Sequence, residues 1–288
     1  MMEIVTVTCD HDREMQRLQS HSMDLFVEEP CVHLVIIESS EWNAEQWHQY
    51  LSPFYTKHTL FVIDSMRVKK EFRKYKPQSR RGWIKQQIFK LLASKYVRNN
   101  SYLILDSKNF FIRPTDLSKW PIREGNGMLA NPYTLSNGRW TSWIDYTKQL
   151  TDKEEIATCA PPVTPFMCKT TTVRKMLKAL KSGPGIDEAF FNFDESPSEF
   201  LMYSCFAAKP LKAMAPPRRP SVTLWQHDDP PDVERLKKIY KNKNVKILAV
   251  HKGCLKKIDP TEKRIFRYFE RHGFDFDIVR SAFMSKLS

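Results

Sequence analysis

Asp106 closes the apolar run Tyr102-Leu103-Ile104-Leu105, and two residues on, where a second carboxylate would complete a metal site, stands Lys108. An aspartate just beyond a buried strand has two jobs open to it: holding a divalent cation together with a bound diphosphate, or capping the next turn. Lys108 cannot ligate Mg²⁺ or Mn²⁺ while protonated, because an ammonium has donors and no lone pair. It can instead neutralise a diphosphate with a fixed positive charge. Polar residues also follow other apolar runs, as Thr8-Cys9-Asp10, Glu38-Ser39 and Asp64-Ser65, and a late histidine, His251, precedes Lys252, Gly253 and Lys256. Asp187, Glu188, Asp194 and Glu199 are carboxylates of the central half suited to taking a hydroxyl proton, and the sequence does not choose among them. Trp140, Trp143 and Tyr146 form an aromatic group that suits either ring stacking or core packing.

These residues need a scaffold. Four apolar, β-rich runs occupy 4–8, 33–37, 60–64 and 102–106, and near-continuous apolar strands are what a parallel sheet covered on both faces shows. Met15, Leu18, Met23 and Phe26 between the first two, and Trp83, Ile84, Gln87, Ile88, Leu91, Leu92 and Lys95 before the fourth, follow a helical rhythm. Strand, helix, strand predicts an α/β fold with right-handed crossovers, and in open α/β sheets the ligand crevice lies beyond the carboxyl ends of the strands. A further helix is expected after Ser196 or Ser198 with Glu199 in its first turn, another with its N-cap among Thr170 to Thr172, and a strand running to His251.

The chain has 288 residues, enough for a large core, with 41% hydrophobic and 12% aromatic residues. No apolar run approaches the roughly 18 residues of a membrane span, and the first strand starts at once, so a soluble cytoplasmic protein, or one peripheral to an anionic membrane surface, is expected. The six cysteines, at 9, 31, 159, 168, 205 and 254, form no CxxC pair and read as reduced core thiols. Net charge is +13, and the segment from Lys209 onward, with 19 basic and 9 acidic residues, carries most of the excess. A basic face concentrates anions without naming one.

The order of motifs resembles the GT-A fold of nucleotide-sugar glycosyltransferases, in which a helix with basic residues precedes an apolar strand ending in D-x-D. The likeness rests on GWIKQQIFKLLASKYVRNNSYLILDSKNFFIRP (82–114), PPVTPFMCKTTTVRKML (161–177), SEFLMYSCFA (198–207) and VHKGCLKK (250–257), and it is strongest to a bacterial and viral group of glycosyltransferase-like proteins. It implies a GT-A-like (Rossmann-like) mixed, mostly parallel sheet flanked by helices over 1–255, with 256–288 as a helical C-terminal extension. It implies a nucleotide-sugar donor and a glycan or other hydroxyl acceptor. Asp106 takes the place of the first Asp of D-x-D, and His251 that of a late metal ligand. Thr8, Cys9, Asp10, Asp64, Lys85, Lys108, Lys252 and Lys256 fall to the nucleotide, diphosphate or sugar, and Glu199 is a base or sugar-hydroxyl partner.

The departure is Lys108. It leaves three readings: a metal-independent transferase, a Mg²⁺ or Mn²⁺ site rebuilt from Asp106, Asp64 and His251, or a protein without catalysis. A nucleic-acid binder is the competing class, on the basic tail with Phe266, Tyr268, Phe269, Phe274 and Phe276, although no known binding motif is present. A nucleotidyltransferase would want a glycine-rich phosphate loop near the first strand, and 4–15 contains no glycine.

Overall fold

The computed structural model describes residues 1–69, 82–127, 141–151, 160–182, 189–190, 198–207, 218–225, 227–259 and 261–285. The first apolar runs form β1 (Met2–Cys9), β2 (Cys31–Glu38) and β3 (Thr59–Asp64), joined through helices α1 (Arg13–Phe26) and α2 (Ala44–Leu51). Asn43 starts α2 with a reciprocal cap to Gln46. After α3 (Ser65–Lys69) and α4 (Gly82–Leu92) come β4 (Ser101–Asp106) and a three-residue β5 (Asn109–Phe111). The rest comprises α5 (Thr141–Thr151), β6 (Phe166–Lys169), α6 (Thr170–Ser182), α7 (Glu199–Phe206), β7 (Ser221–Leu224), α8 (Val233–Lys241), β8 (Ile247–Val250), α9 (Lys252–Leu255), α10 (Lys263–Glu270) and α11 (Phe276–Met284).

The main sheet has the order β3-β2-β1-β4-β6, parallel except for β6. Helices cover both faces, so its middle strands are buried through and through, as their unbroken apolar runs require. The register sets Cys9 opposite Glu38, Ile37 opposite Asp64 and Val7 opposite Asp106, which gathers the strand ends on one edge. A second sheet, β5-β8-β7, continues from there, with β5 antiparallel to β8 and Asn109 opposite Ala249. The turn Asp106-Ser107-Lys108-Asn109 therefore crosses between the sheets. The ends of β7 and β8, with Trp225 and His251 just beyond them, arrive at that crossing because β8 runs opposite to β5.

Residues 256–288 were expected as an extension. Helices α10 and α11 share one core with α1 and the second sheet, in which Met15, Leu18 and Phe110 meet Phe266, Phe269 and Phe283. Phe266, Tyr268, Phe269 and Phe274 are buried and Phe276 packs against the same cluster, so the rings that nucleic-acid stacking would need outside are inside. Among the described residues no helix is long and apolar enough to cross a membrane.

A buried polar chain links the sheet to α1. The Gln19 amide nitrogen donates to two carbonyls, Asp106 O at 2.7 Å and Asn109 O at 2.8 Å, which leaves its oxygen to accept from Thr6 at 2.9 Å. Thr6 has thereby spent its proton, so His33 Nε2 donates to Thr6 Oγ1 at 2.9 Å, and His33 Nδ1 accepts from the Tyr55 hydroxyl at 2.6 Å. Burial, with repulsion from His58 added, pushes the His33 pKa down to about 3. A depressed histidine binds its proton more readily unfolded, so stability is full above about 6.5 and is lost as pH falls from there toward 3. Urea midpoints should fall between pH 7 and pH 4, and more gently in His33→Gln; equal slopes would remove His33 as the cause.

Candidate active site

At the crossing between the sheets lies a cavity of about 460 Å³. Its floor is a charged cluster that the sequence reading names only in part. Lys90 Nζ lies 2.7 Å from Asp106 Oδ1 and 3.2 Å from Glu199 Oε1, with the Phe200 ring centroid 5.4 Å away. The other Asp106 oxygen accepts from Thr164 Oγ1 at 2.8 Å and faces Lys108 Nζ at 3.2 Å. Lys90 is only 8% exposed, and Lys108 31%.

Each partner is held by its element. Ile84, Ile88, Leu91 and Leu92 bury the opposite side of α4, at about 1.5–3 kcal/mol for each full side chain, and this fixes Lys90. Ser198 caps α7 by accepting from Phe200 N–H, and Phe200 stacks flat on Phe166 of β6 with ring centroids 4.1 Å apart. Gln87 Oε1 accepts from Glu199 N–H at 2.9 Å, tying the start of α7 to α4. Thr164 reaches Asp106 because β6 runs antiparallel to β4 and so begins at the edge where β4 ends. The Asp106 turn is fixed from below by Gln19 and from within by Asn109 Oδ1, which accepts from Asp106 N–H at 2.7 Å. Gln19→Leu would take the Gln19 donor from one buried and one partly buried carbonyl and should cost about 2–4 kcal/mol in urea unfolding, with faster amide exchange at 106–110. Unchanged exchange there would refute the positioning role.

The electrostatics follow from the packing. Burial alone would raise the Asp106 pKa, but the Lys90 and Lys108 ammoniums and the Thr164 hydroxyl hold it well below the usual carboxylate range. Burial would lower that of Lys90, and the two carboxylates overcome it, so Lys90 stays an ammonium. For Glu199 burial prevails over Lys90, with Asp106 repulsion helping, and its pKa is raised.

Asp106, Glu199, Lys108 and His251 all line this cavity. The remaining expected residues are placed elsewhere. Asp10 accepts from Ser39 Oγ and from the Ser40 and Glu41 N–H groups, so it organises the loop after β2, and these bonds keep its pKa low against burial. Asp64 accepts from Met66 N–H at 2.6 Å, and Lys85 pairs with Glu38 at 2.7 Å. Asp64 ends a strand three positions from β4, about 14 Å at the usual strand spacing, so it does not join Asp106 at one ion. Thr8 is buried with its hydroxyl unpartnered among the described residues, Cys9 is half-buried, and Lys252 and Lys256, on and just after α9, do not line the cavity. Tyr146 is in the core and donates to Ala189 O, which leaves it no stacking role. Asp187, Glu188, Asp194, Trp140 and Cys159, and the side chain of Trp143, lie outside the described residues.

The sequence reading missed Lys90, Thr164, Trp83 and Trp225. Trp83, Gln87 and Lys90 share one helix face at i, i+4 and i+7, and that signal marks Lys90 as inward-facing. Trp83 is 45% exposed at the mouth of the cavity, with Trp225 also on the wall.

The donor set does not fit a divalent cation at Asp106. Both its oxygens face ammonium groups, His251 Nδ1 accepts from Gly253 N–H to start α9, and among the described residues no three His, Cys, Asp or Glu side chains are placed to hold a metal.

A family model for DUF6492, described as a family of unknown function, matches residues 6–272. The chain belongs to DUF6492. No curated protein matches it. Among solved structures, this DUF6492 protein is similar to the WbbM bifunctional glycosyltransferase, at TM-score 0.55 and 10% identity, over 97% of this chain and 51% of that one. It thus spans about half the length of WbbM. The galactosyltransferase LgtC, solved with donor and acceptor sugar analogues, superposes at TM-score 0.49 and 12% identity over 94% and 95% of the two chains. Mouse xyloside xylosyltransferase 1 does so at 0.48 and 10%, over 86% and 96%. At these identities the likeness shows the fold: the DUF6492 chain has the mixed, mostly parallel sheet of GT-A glycosyltransferases.

Proposed function

We propose that this protein is a nucleotide-sugar-dependent glycosyltransferase, with the donor diphosphate in the cavity above Asp106 and Lys108. The observation that carries the reading is the Lys90–Asp106–Glu199 cluster at the crossing between the two sheets of a GT-A-like fold. The cavity volume is in the range of small-molecule sites. As the nucleoside diphosphate leaves, charge grows on its β-phosphate, and Lys108, anchored on Asp106 and partly open to the cavity, stabilises it there. Asp106 holds both ammoniums in place. Glu199, buried and raised in pKa, is the carboxylate poised to take a proton from the acceptor hydroxyl of a glycan or other alcohol. Trp83 and Trp225 offer faces on which a sugar or base can stack.

The test is a thermal-shift panel with UDP-, GDP-, CMP- and dTDP-sugars on wild type and Asp106→Ala. One nucleotide class should raise the melting temperature of the wild type and leave the variant unmoved. No shift with any donor overturns the reading.

A further inference from the structure

We infer that Lys90 and Lys108 together are the built-in cation of this site, taking the place of a divalent metal, and that Asp106 excludes Mg²⁺ and Mn²⁺. The diphosphate half of this inference rests on the proposed donor reading; the metal half stands on the cluster alone. Lys90 Nζ sits between the two carboxylates at 2.7 and 3.2 Å, the position a bridging ion would take, on a helix whose buried face keeps it there. Two carboxylates with two ammoniums carry the same net charge as two carboxylates with one divalent ion. An arriving metal would have to break the Lys90 contact and sit beside two fixed positive charges. Lysine cannot become a ligand while protonated, and the contact with two carboxylates keeps Lys90 protonated. Repulsion between like charges at such separations is strong wherever water is scarce.

The division of labour follows from exposure. Lys90 is enclosed and donates to both acids, so it sets the charge of the floor. Lys108 is 31% exposed, and its contact among the described residues is with Asp106 alone. Its other hydrogens are free to meet phosphate oxygens at the cavity surface. An ammonium binds by donating hydrogen bonds, so diphosphate affinity should be indifferent to chelators and sensitive to the identity of residue 108.

Mn²⁺ titration followed by electron paramagnetic resonance tests the metal half, on wild type and Asp106→Asn. The free-ion signal should match that of a protein-free control into the millimolar range, with UDP or GDP absent from both or present in both. One bound Mn²⁺ per chain, lost in Asp106→Asn, would overturn it. For the diphosphate half, calorimetry with UDP and GDP should give an affinity in EDTA at least as high as in Mn²⁺, which itself sequesters free nucleotide. Lys108→Met should weaken it at least about tenfold, with Lys108→Arg within about threefold of wild type. Affinity that requires Mn²⁺, or that survives Lys108→Met, counts against the lysine pair. Lys108→Met retains the buried Lys90 contacts, so a folding failure does not confuse the result. If neither nucleotide binds under any condition, the donor reading falls and takes the diphosphate half with it, while the Mn²⁺ titration still decides the metal half.

Discussion

Lys90→Met should lower the unfolding free energy by about 3–5 kcal/mol at neutral pH, because it leaves the enclosed Glu199 and the partly buried Asp106 sharing the space of one lost cation. Methionine fills nearly the same volume, so the loss reads charge rather than packing. Asp106 keeps Lys108 and Thr164, whereas Glu199 keeps no cation and gains an uncompensated neighbour. Glu199, already raised in the wild type, should therefore take up a proton in the folded variant more readily still. A carboxyl raised on folding stabilises the native state as pH falls through its folded pKa toward about 4.5, so the deficit should shrink from pH 8 to pH 5. Lys90, raised in the wild type, contributes stability in full below about 10.5 that is lost as pH rises above that value. The wild type should thus weaken more steeply than the variant in alkali. Urea titrations at pH 5, 8 and 10 to 11 measure all of this, and a variant within about 0.5 kcal/mol of wild type at pH 8 would show the cluster to be energetically idle.

The same lysine marks the limit of what the sequence discloses. Period and apolar continuity make β1 to β4 and the helix around Ile84 to Leu92 legible, and strand-end logic brings Asp106 to the crevice edge. Lys90 is hidden because a lysine in a helix is normally solvated, and only its spacing from Trp83 and Gln87 says otherwise. Lys85, the more conspicuous choice, is turned toward Glu38 by two positions of helical rotation relative to Gln87. Asp10 and Asp64 were legible as strand-end acids, yet the cavity does not form above their strands. It forms where β4 leaves the first sheet for β5, a strand of three residues too short to show a period. The packing of α10 and α11 was hidden for a related reason. The apolar sides of α10 and α11 are plain in the sequence, but their counterpart is Met15, Leu18 and Phe110, far away along the chain.

Glu199→Gln should separate chemistry from folding. Glutamine keeps an oxygen for Lys90 and cannot take up a proton, so on the proposed reading kcat should fall about 10²- to 10⁴-fold while nucleoside diphosphate affinity stays within about twofold. Stability should hold or rise at pH 7. The raised pKa means that burial of the Glu199 charge outweighs its attraction to Lys90, and a neutral side chain of the same shape escapes that penalty. The wild-type rate should climb with pH as Glu199 ionises, since the carboxylate is the base, and the variant should lose that acidic limb. Transfer or donor hydrolysis across pH 5 to 9, with melting temperatures on the same samples, reads each arm. A variant that loses stability would make Glu199 a counterion to Lys90 first; one with full kcat would move the base to a carboxylate elsewhere in the chain. Lower activity with undiminished stability is the pattern expected of a charged group kept in an unfavourable place for its reaction.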